Sequence, residues 1–343
     1  MKTTKIVTIG GGTGSPTILK SLAMAGFTDI SAVSASTDSG GKTGVIRSDE
    51  RDRVIAISDL LRNLLALVSD KQNHLEQVSS FIDLVSFTDG RNRNLGYTIY
   101  YALLEKYHGD FIKVQSHLEQ LLGIHFQGTA IPITSEPANL CFSTSLGNTF
   151  CGEHELDKQS LSTNVITHIW LDRPVKATKQ AVTAIQEATH IIYSPGSIYG
   201  SVISNLLPTG ITSALKSSKA TTIFVSNLVS NRNQTHRFSP ADFLRLFQKY
   251  TKLKHPFDYF ICPHLTENQF DTKYPKVADT YAAEHSHFLG WTDSQLQELI
   301  KSDITPVKAD VFSITPTLYR IRHDPAKLAR VLKPLLAADR KTQ

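Results

Sequence analysis

Cysteine is scarce in this 343-residue chain: only Cys141, Cys151 and Cys262 occur, none of them in a Cys-x-x-Cys pair. That excludes a disulfide framework of the small secreted kind and leaves buried, reduced thiols as the expectation. No apolar run approaches the roughly eighteen residues that a membrane helix needs, so no membrane span is expected. The first residues reach a strand and a glycine loop too soon to hold a secretory signal, which makes the cytoplasm the expected location and the sequon Asn233-Gln234-Thr235 silent. Neither sign of charge dominates, with 36 Lys and Arg against 31 Asp and Glu for a net +5. The basic residues are dispersed except near Arg320–Arg340, and RNP aromatics and paired zinc ligands are missing, so nucleic acid is not an expected partner. The histidines form no H-E-x-x-H, His285 and His287 read as a polar surface pair, and no G-x-S-x-G elbow supports serine-hydrolase chemistry.

What is present is an alternation of strand-like and helix-like runs. The hydrophobic share of 41% and charged share of 20% suit a packed protein of this length. Lys5–Ile9 and Ile30–Ser36 read as strands, and Ile18, Leu19, Leu22 and Ala25 between them share one helical face, giving a βαβ unit. Asp52–Val68, Leu95–Tyr107 and Lys176–Glu187 read as helices. Strands are expected at Val165–Leu171, Ile191–Ser194, Thr222–Ser226 and Tyr259–Cys262, with helices near Ser201–Lys216 and Pro240–Tyr250. The pattern predicts an α/β fold: a doubly wound, mainly parallel sheet with helices on both faces. Within a single domain over 1–343, the short extended pieces of 123–155, broken by Pro132, Pro137 and Gly147, read as a small antiparallel appendage. Lys273–Trp291 reads as polar and irregular, and Asp324-Pro325 opens a C-terminal docking helix over 324–337 with an apolar stripe.

The chemistry gathers in loops at the carboxyl ends of predicted strands. Gly10-Gly11-Gly12-Thr13-Gly14-Ser15 joins the first strand to the first helix, where glycines let backbone approach an anion and Thr13, Ser15 and helix N–H groups donate to phosphate oxygens. Gly10 and Gly12 fit G-x-G-x-x-G, but Ser15 stands where the third glycine belongs, which counts against nicotinamide-dependent redox chemistry. The second loop, Ser36–Arg47, contains Asp38, Ser39, Gly40, Gly41, Lys42 and Arg47. Gly41-Lys42-Thr43 is not a P-loop, since serine occupies position 36 where that motif requires glycine. Asp38 could hold a ribose, a magnesium ion or a donor hydroxyl, and Lys42 and Arg47 could neutralise phosphate. Asp59, Arg62 and Asn63 lie on an otherwise apolar helix, where Asp59 and Arg62 could simply pair. Pro195-Gly196-Ser197-Ile198-Tyr199 is another glycine-containing, hydroxyl-rich turn between a strand and a helix start. Gly152-Glu153 with His154 offers an acid and an imidazole, with sequence proximity alone behind it.

These segments, together with Asn94-Leu95-Gly96 and Arg322-His323-Asp324-Pro325, resemble in order and spacing the YvcK-like branch of the CofD family across nearly the whole chain. The resemblance implies a Rossmann-like fold and a cytoplasmic bacterial protein of the gluconeogenesis-factor type that binds UDP-sugars such as UDP-N-acetylglucosamine and affects cell shape and carbon metabolism. It also implies an alternative, a magnesium-dependent 2-phospho-L-lactate transferase-like enzyme acting on a nucleotide-linked donor. The chain departs from the family at two places: Ser39 replaces the second of two successive aspartates, and Gly44-Val45-Ile46-Arg47 keeps one cation where the family has two. Losing one carboxylate weakens the transferase reading more than the binding reading. The expected nucleotide-binding residues are therefore Gly11, Gly12, Thr13, Gly14, Asp38, Ser39, Gly40, Gly41, Lys42, Arg47, Asp59, Arg62, Asn63, Pro195, Gly196, Ser197 and Tyr199, with Asp38 the candidate magnesium ligand and, in a transferase, the catalytic carboxylate. No other cofactor is implied, and assembly into a homo-oligomer is left open.

Overall fold

The computed structural model describes residues 4–36, 55–69, 72, 75–90, 94–158, 164–316 and 318–337, and the structural statements below concern these. Strands β1 (Ile6–Ile9), β2 (Ile30–Ser34) and β3 (Gly128–Pro132) come first, followed by β4 (Leu140–Thr144), β5 (Thr149–Cys151) and β6 (Ile166–Leu171). The later strands are β7 (His190–Tyr193), β8 (Thr221–Val225), β9 (Tyr259–Pro263), β10 (Thr305–Ala309), β11 (Phe312–Thr315) and β12 (Arg320–His323). Seven of them form a parallel sheet in the order β10-β9-β8-β7-β1-β2-β3.

Such a sheet is covered on both faces, so its strands are continuous apolar runs whose successive side chains enter different cores. Ile6, Ala32, Ile192, Ile223 and Ile261 belong to one buried cluster. Their neighbours Val7, Val33, Ile191, Phe224 and Phe260 belong to the other, where Phe224 packs against the rings of Phe243, Phe247, Phe257 and Phe260. Helices supply the outer layers. Helix α1 (Gly14–Ala25) follows β1 and ends at Gly26 in the left-handed region, and α2 (Ser58–Ala66) packs beside it. Helix α3 (Pro240–Thr251) starts with a Ser239–Asp242 capping box and a proline in its first turn. The terminal helix α4 (Pro325–Ala337) buries Leu328, Leu332 and Leu336 and packs along α1. Among the described residues no helix is long and apolar enough to cross a membrane.

Several boundaries differ from the sequence-based expectations. The piece around Ile131 is not part of the antiparallel unit: β3 pairs in parallel with β2 at the edge of the main sheet, where the missing N–H of Pro132 breaks no ladder. The small antiparallel sheet is instead β5-β4-β6, so Val165–Leu171 does not return to the main sheet. The helix expected over Asp52–Val68 spans Ser58–Ala66, with Ile55–Ile57 non-helical and residues 51–54 outside the described residues. A helix, Pro275–Ala282, occupies the stretch read as irregular. Cys141 and Cys151 are not both reduced thiols: the β4–β5 register sets them directly opposite one another and they form a disulfide. Cys262 is free, and burial pushes its thiol up to about 12.

Truncating Leu332, fully buried between α4 and the sheet-side core, is expected to cost about 2–5 kcal/mol. Urea unfolding of Leu332→Ala should show a lower midpoint at unchanged slope; an unchanged midpoint would mean that α4 is not an integral layer.

Candidate functional site

Strand order determines where a ligand can enter. From β1 the chain proceeds outward through β2 to β3, and from β7 it proceeds the other way through β8 and β9 to β10. The reversal lies between the neighbours β1 and β7, whose last residues Ile9 and Tyr193 are paired. Connections leave this point on opposite sides, and a crevice opens beyond the carboxyl ends of the two strands.

The loop Gly10–Thr13 and the turn Ser194–Ser197 meet across that crevice. A Cβ on Gly14 would overlap the carbonyl oxygen of Pro195, and one on Gly11 would overlap the Asp59 carboxylate. Glycine is needed there because backbone and carboxylate occupy the space that any side chain would take. Thr13, at the N-cap of α1, contributes no side-chain cap, and Pro16 in the first turn lacks an N–H. The helix N-terminus thus keeps a field suited to an anion.

A cleft of about 850 Å³ lies over these turns, lined by Gly12, Thr13, Gly196, Ser197 and Ser201, by Glu153 from the segment after β5, by Asn227 and Val229–Thr235 after β8, and by Tyr281, Glu284 and Arg322. A smaller hollow of about 160 Å³ beside it is lined by Thr13, Gly14, Thr17, Pro195, Asn227, Arg322 and His323. Arg322 is exposed and faces both, giving the cleft a cation opposite the glycine loop.

The segment after β8 braces the turn after β7. Asn227 Nδ2 donates to the Gly196 carbonyl at 2.7 Å, while Gln234 Oε1 accepts from Ser197 Oγ at 2.8 Å and from the Tyr199 amide at 3.2 Å. Ser197 Oγ also accepts from the Gly200 amide. Several buried polar atoms around the crevice have no partner among the described residues: Ser15 Oγ, Ser194 Oγ, Ser226 Oγ, Asn227 Oδ1 and both amide atoms of Asn63. Of these residues Asn227 lines the cleft, so its Oδ1 is the one placed to receive a hydrogen bond from a polar ligand.

The sequence-derived candidates divide accordingly. Gly11, Gly12, Thr13, Gly14, Pro195, Gly196 and Ser197 come together at the crevice, although the Ser197 hydroxyl is already engaged by Gln234 and the Gly200 amide. Asp59 is buried against Gly11, and Arg62 Nη1 donates to it at 2.6 Å, so the helix pair and the loop contact both exist. Tyr199 does not present its ring to the cleft: its side chain is buried in the core, and burial raises its phenol above the ordinary range. Asp38, Ser39, Gly40, Gly41, Lys42 and Arg47 lie outside the described residues. Among the described residues, which do not include Asp38, no group of three or more His, Cys, Asp and Glu side chains could hold a metal ion.

Sequence reasoning did not select Asn227, Gln234 or Tyr281, and it gave no binding role to Ser201 or to Arg322, the latter named only within the Arg322–Pro325 segment. The signal in the sequence is the amide-rich run Asn227–Gln234 directly after a strand.

Comparison with known proteins agrees with this architecture. The family profile described as 2-phospho-L-lactate transferase CofD matches residues 6–311. A Thermotoga maritima protein named as a gluconeogenesis factor is 30% identical over 333 residues, covering 96% of this chain and 98% of the relative. A protein of the same name from Clostridium acetobutylicum is 28% identical over 335 residues, covering 97% of this chain and 69% of the relative. The crystal structure of a UPF0052 family member from Bacillus halodurans, 21% identical, has the same fold, with a TM-score of 0.81 over 96% of this chain and 99% of that one.

His323, at the end of β12 beside the smaller hollow, has a buried Nε2 without a partner among the described residues. Burial lowers its pKa to about 4, against a weaker opposing hydrogen bond to the Ser226 backbone. The unfolded chain, with an ordinary histidine near 6.5, therefore binds the additional proton between those values, and stability falls as pH drops through that window by up to about 1.4 kcal/mol per pH unit. Denaturant unfolding at pH 7 and pH 5 should show this loss in the natural protein and a smaller one in His323→Gln; equal losses would mean that His323 is not held neutral.

Proposed function

Because the chain belongs to the CofD family, we propose that it binds a sugar nucleotide, a UDP-sugar such as UDP-N-acetylglucosamine, in the cleft over the β1–β7 crevice. In this reading it is a cytoplasmic regulatory protein of the YvcK type acting on cell shape and carbon metabolism, and binding need not be followed by a reaction. The observation that carries the proposal is the interlock of the glycine loop before α1 with the Pro195 turn at the point where strand order reverses. Backbone amides and the α1 terminus meet the diphosphate, and Arg322 supplies positive charge from across the cleft. The carboxylate of Glu153 and the amides of Asn227 and Asn231 are suited to sugar and ribose hydroxyls. Asp38, Lys42 and Arg47 complete the grip in the proposal, with their roles resting on the sequence.

The family description favours one second reading, a phospho-group transferase. There Asp38 would place magnesium or activate an acceptor hydroxyl, and Lys42 and Arg47 would stabilise charge on the phosphoryl oxygens. Ser39 stands where the family has its second aspartate, so the binding reading comes first.

Isothermal titration with UDP-N-acetylglucosamine should give saturable heat. Gly12 has φ +63°, and Gly12→Val should weaken binding about tenfold or more, because a branched side chain strains that conformation. Asp38→Ala should weaken it as well. No heat at millimolar ligand would remove the binding reading, whereas magnesium-dependent turnover of a nucleotide-linked donor, lost in Asp38→Asn, would replace it with the transferase.

A further inference from the structure

We propose that the Cys141–Cys151 disulfide is a thiol–disulfide exchange site for a dithiol reductant, and that its state sets how firmly Glu153 is held in the cleft. Cys151 ends β5, a three-residue edge strand paired among the described residues with β4 alone. Glu153 follows two residues later. Its carboxylate lies against Gly200, at the start of the buried turn after β7, and lines the cleft with Gly12, Thr13 and Gly196. Between them Gly152 is buried and its amide donates to the Leu140 carbonyl at 2.7 Å. The chain therefore enters the cleft from a strand too short to hold itself by ladder hydrogen bonds, and the covalent link to β4 fixes that entry.

The two sulfurs differ in access. Cys151 is exposed, whereas Cys141 is buried in the small sheet. Attack is directed accordingly. A thiolate of the dithiol bonds to Cys151 Sγ, the Sγ–Sγ bond breaks, and Cys141 leaves as a thiolate that takes a proton from solvent. The second thiol of the reductant then displaces Cys151, which is protonated in turn. Two electrons pass to the protein's disulfide and the reductant becomes a disulfide. In a cytoplasmic protein, as the proposed function has it, a disulfide is ordinarily transient or redox-sensing, which is the use assigned here. After reduction β5 keeps its short ladder, the Gly152–Leu140 hydrogen bond and the Phe142–Phe150 stack but not the covalent link, and Glu153 is held less firmly in its approach to ligand hydroxyls. The effect on ligand rests on the proposed nucleotide site; the exchange site itself does not.

The test compares the full chain oxidised with glutathione disulfide and reduced with dithiothreitol. Thiol titration in denaturant should find one reactive thiol, Cys262, in the oxidised form and three in the reduced form. Amide hydrogen exchange over residues 149–156 should quicken on reduction, and affinity for UDP-N-acetylglucosamine should fall about fivefold or more, an ordinary size for coupling between two sites. The Cys141→Ser, Cys151→Ser double variant should match the reduced protein in both measurements under either condition. Three reactive thiols after oxidation, or unchanged exchange over 149–156, would overturn the exchange site. Equal affinity in the two forms with altered exchange would overturn the link to Glu153. Altered exchange with no binding by either form would support the exchange site and count against the proposed ligand instead.

Discussion

Two adjacent parallel strands, β1 and β7, send the chain away in opposite directions, and the arrangement of everything around the cleft depends on that divergence. Ile9 and Tyr193 end in register, so the loops that follow begin side by side and then part. Neither connection can cover the gap, because each must fold back over its own face of the sheet. Loop chemistry follows from this constraint. Where Gly11 and Gly14 touch Asp59 and Pro195, no side chain fits, and the crevice floor is consequently backbone. A floor of backbone next to a helix N-terminus is suited to an oxyanion by geometry before any side chain is considered.

Side chains then hold the floor in place and complete its walls. Asn227 and Gln234, from beyond β8, fix the Pro195 turn through the Gly196 carbonyl, the Ser197 hydroxyl and the Tyr199 amide. Glu153 reaches the same cleft from the small antiparallel sheet, and Arg322 from the β11–β12 hairpin. Elements far apart in sequence thus contribute groups to a site whose centre is built by two strands. Rigidity is supplied from below, where Phe224 and its ring of phenylalanines pack one face of the sheet and α4 closes against α1 on the other. The same distribution of parts lets a change at the Cys141–Cys151 link, remote from the glycine loop, be felt by a single carboxylate in the cleft.

Much of this was legible in the residues. The run Lys5–Ile9 followed by Gly10–Gly14 signals a buried parallel strand feeding a phosphate-type turn, and the Pro195 turn repeats the signal after β7. Asp324-Pro325 marks the start of α4 because a capping carboxylate and an N1 proline act locally, and the structure shows the Asp324 side chain accepting from the Lys327 amide. What escaped depends on partners distant in sequence. Ile131 carries no sign of whether its strand neighbour is β2 or β4, and Cys141 gives none of facing Cys151 until the β4–β5 register is known. Tyr199 shares a polar turn with Ser197 yet sends its ring into the core, a direction set by how the chain turns after Ser197. Asn227 and Gln234 act by bracing another loop, and bracing is visible only once both loops are in place.

In the proposed function the crevice between β1 and β7 receives the charged linkage of a nucleotide. A crystal structure of the protein soaked with UDP-N-acetylglucosamine tests it most directly. Diphosphate density between Gly11–Gly14 and Pro195–Ser197, with the sugar extending toward Glu153 and Asn227, is the predicted result. Nucleotide density seated elsewhere on the molecule, with the crevice holding only solvent at saturating ligand, would contradict the claim.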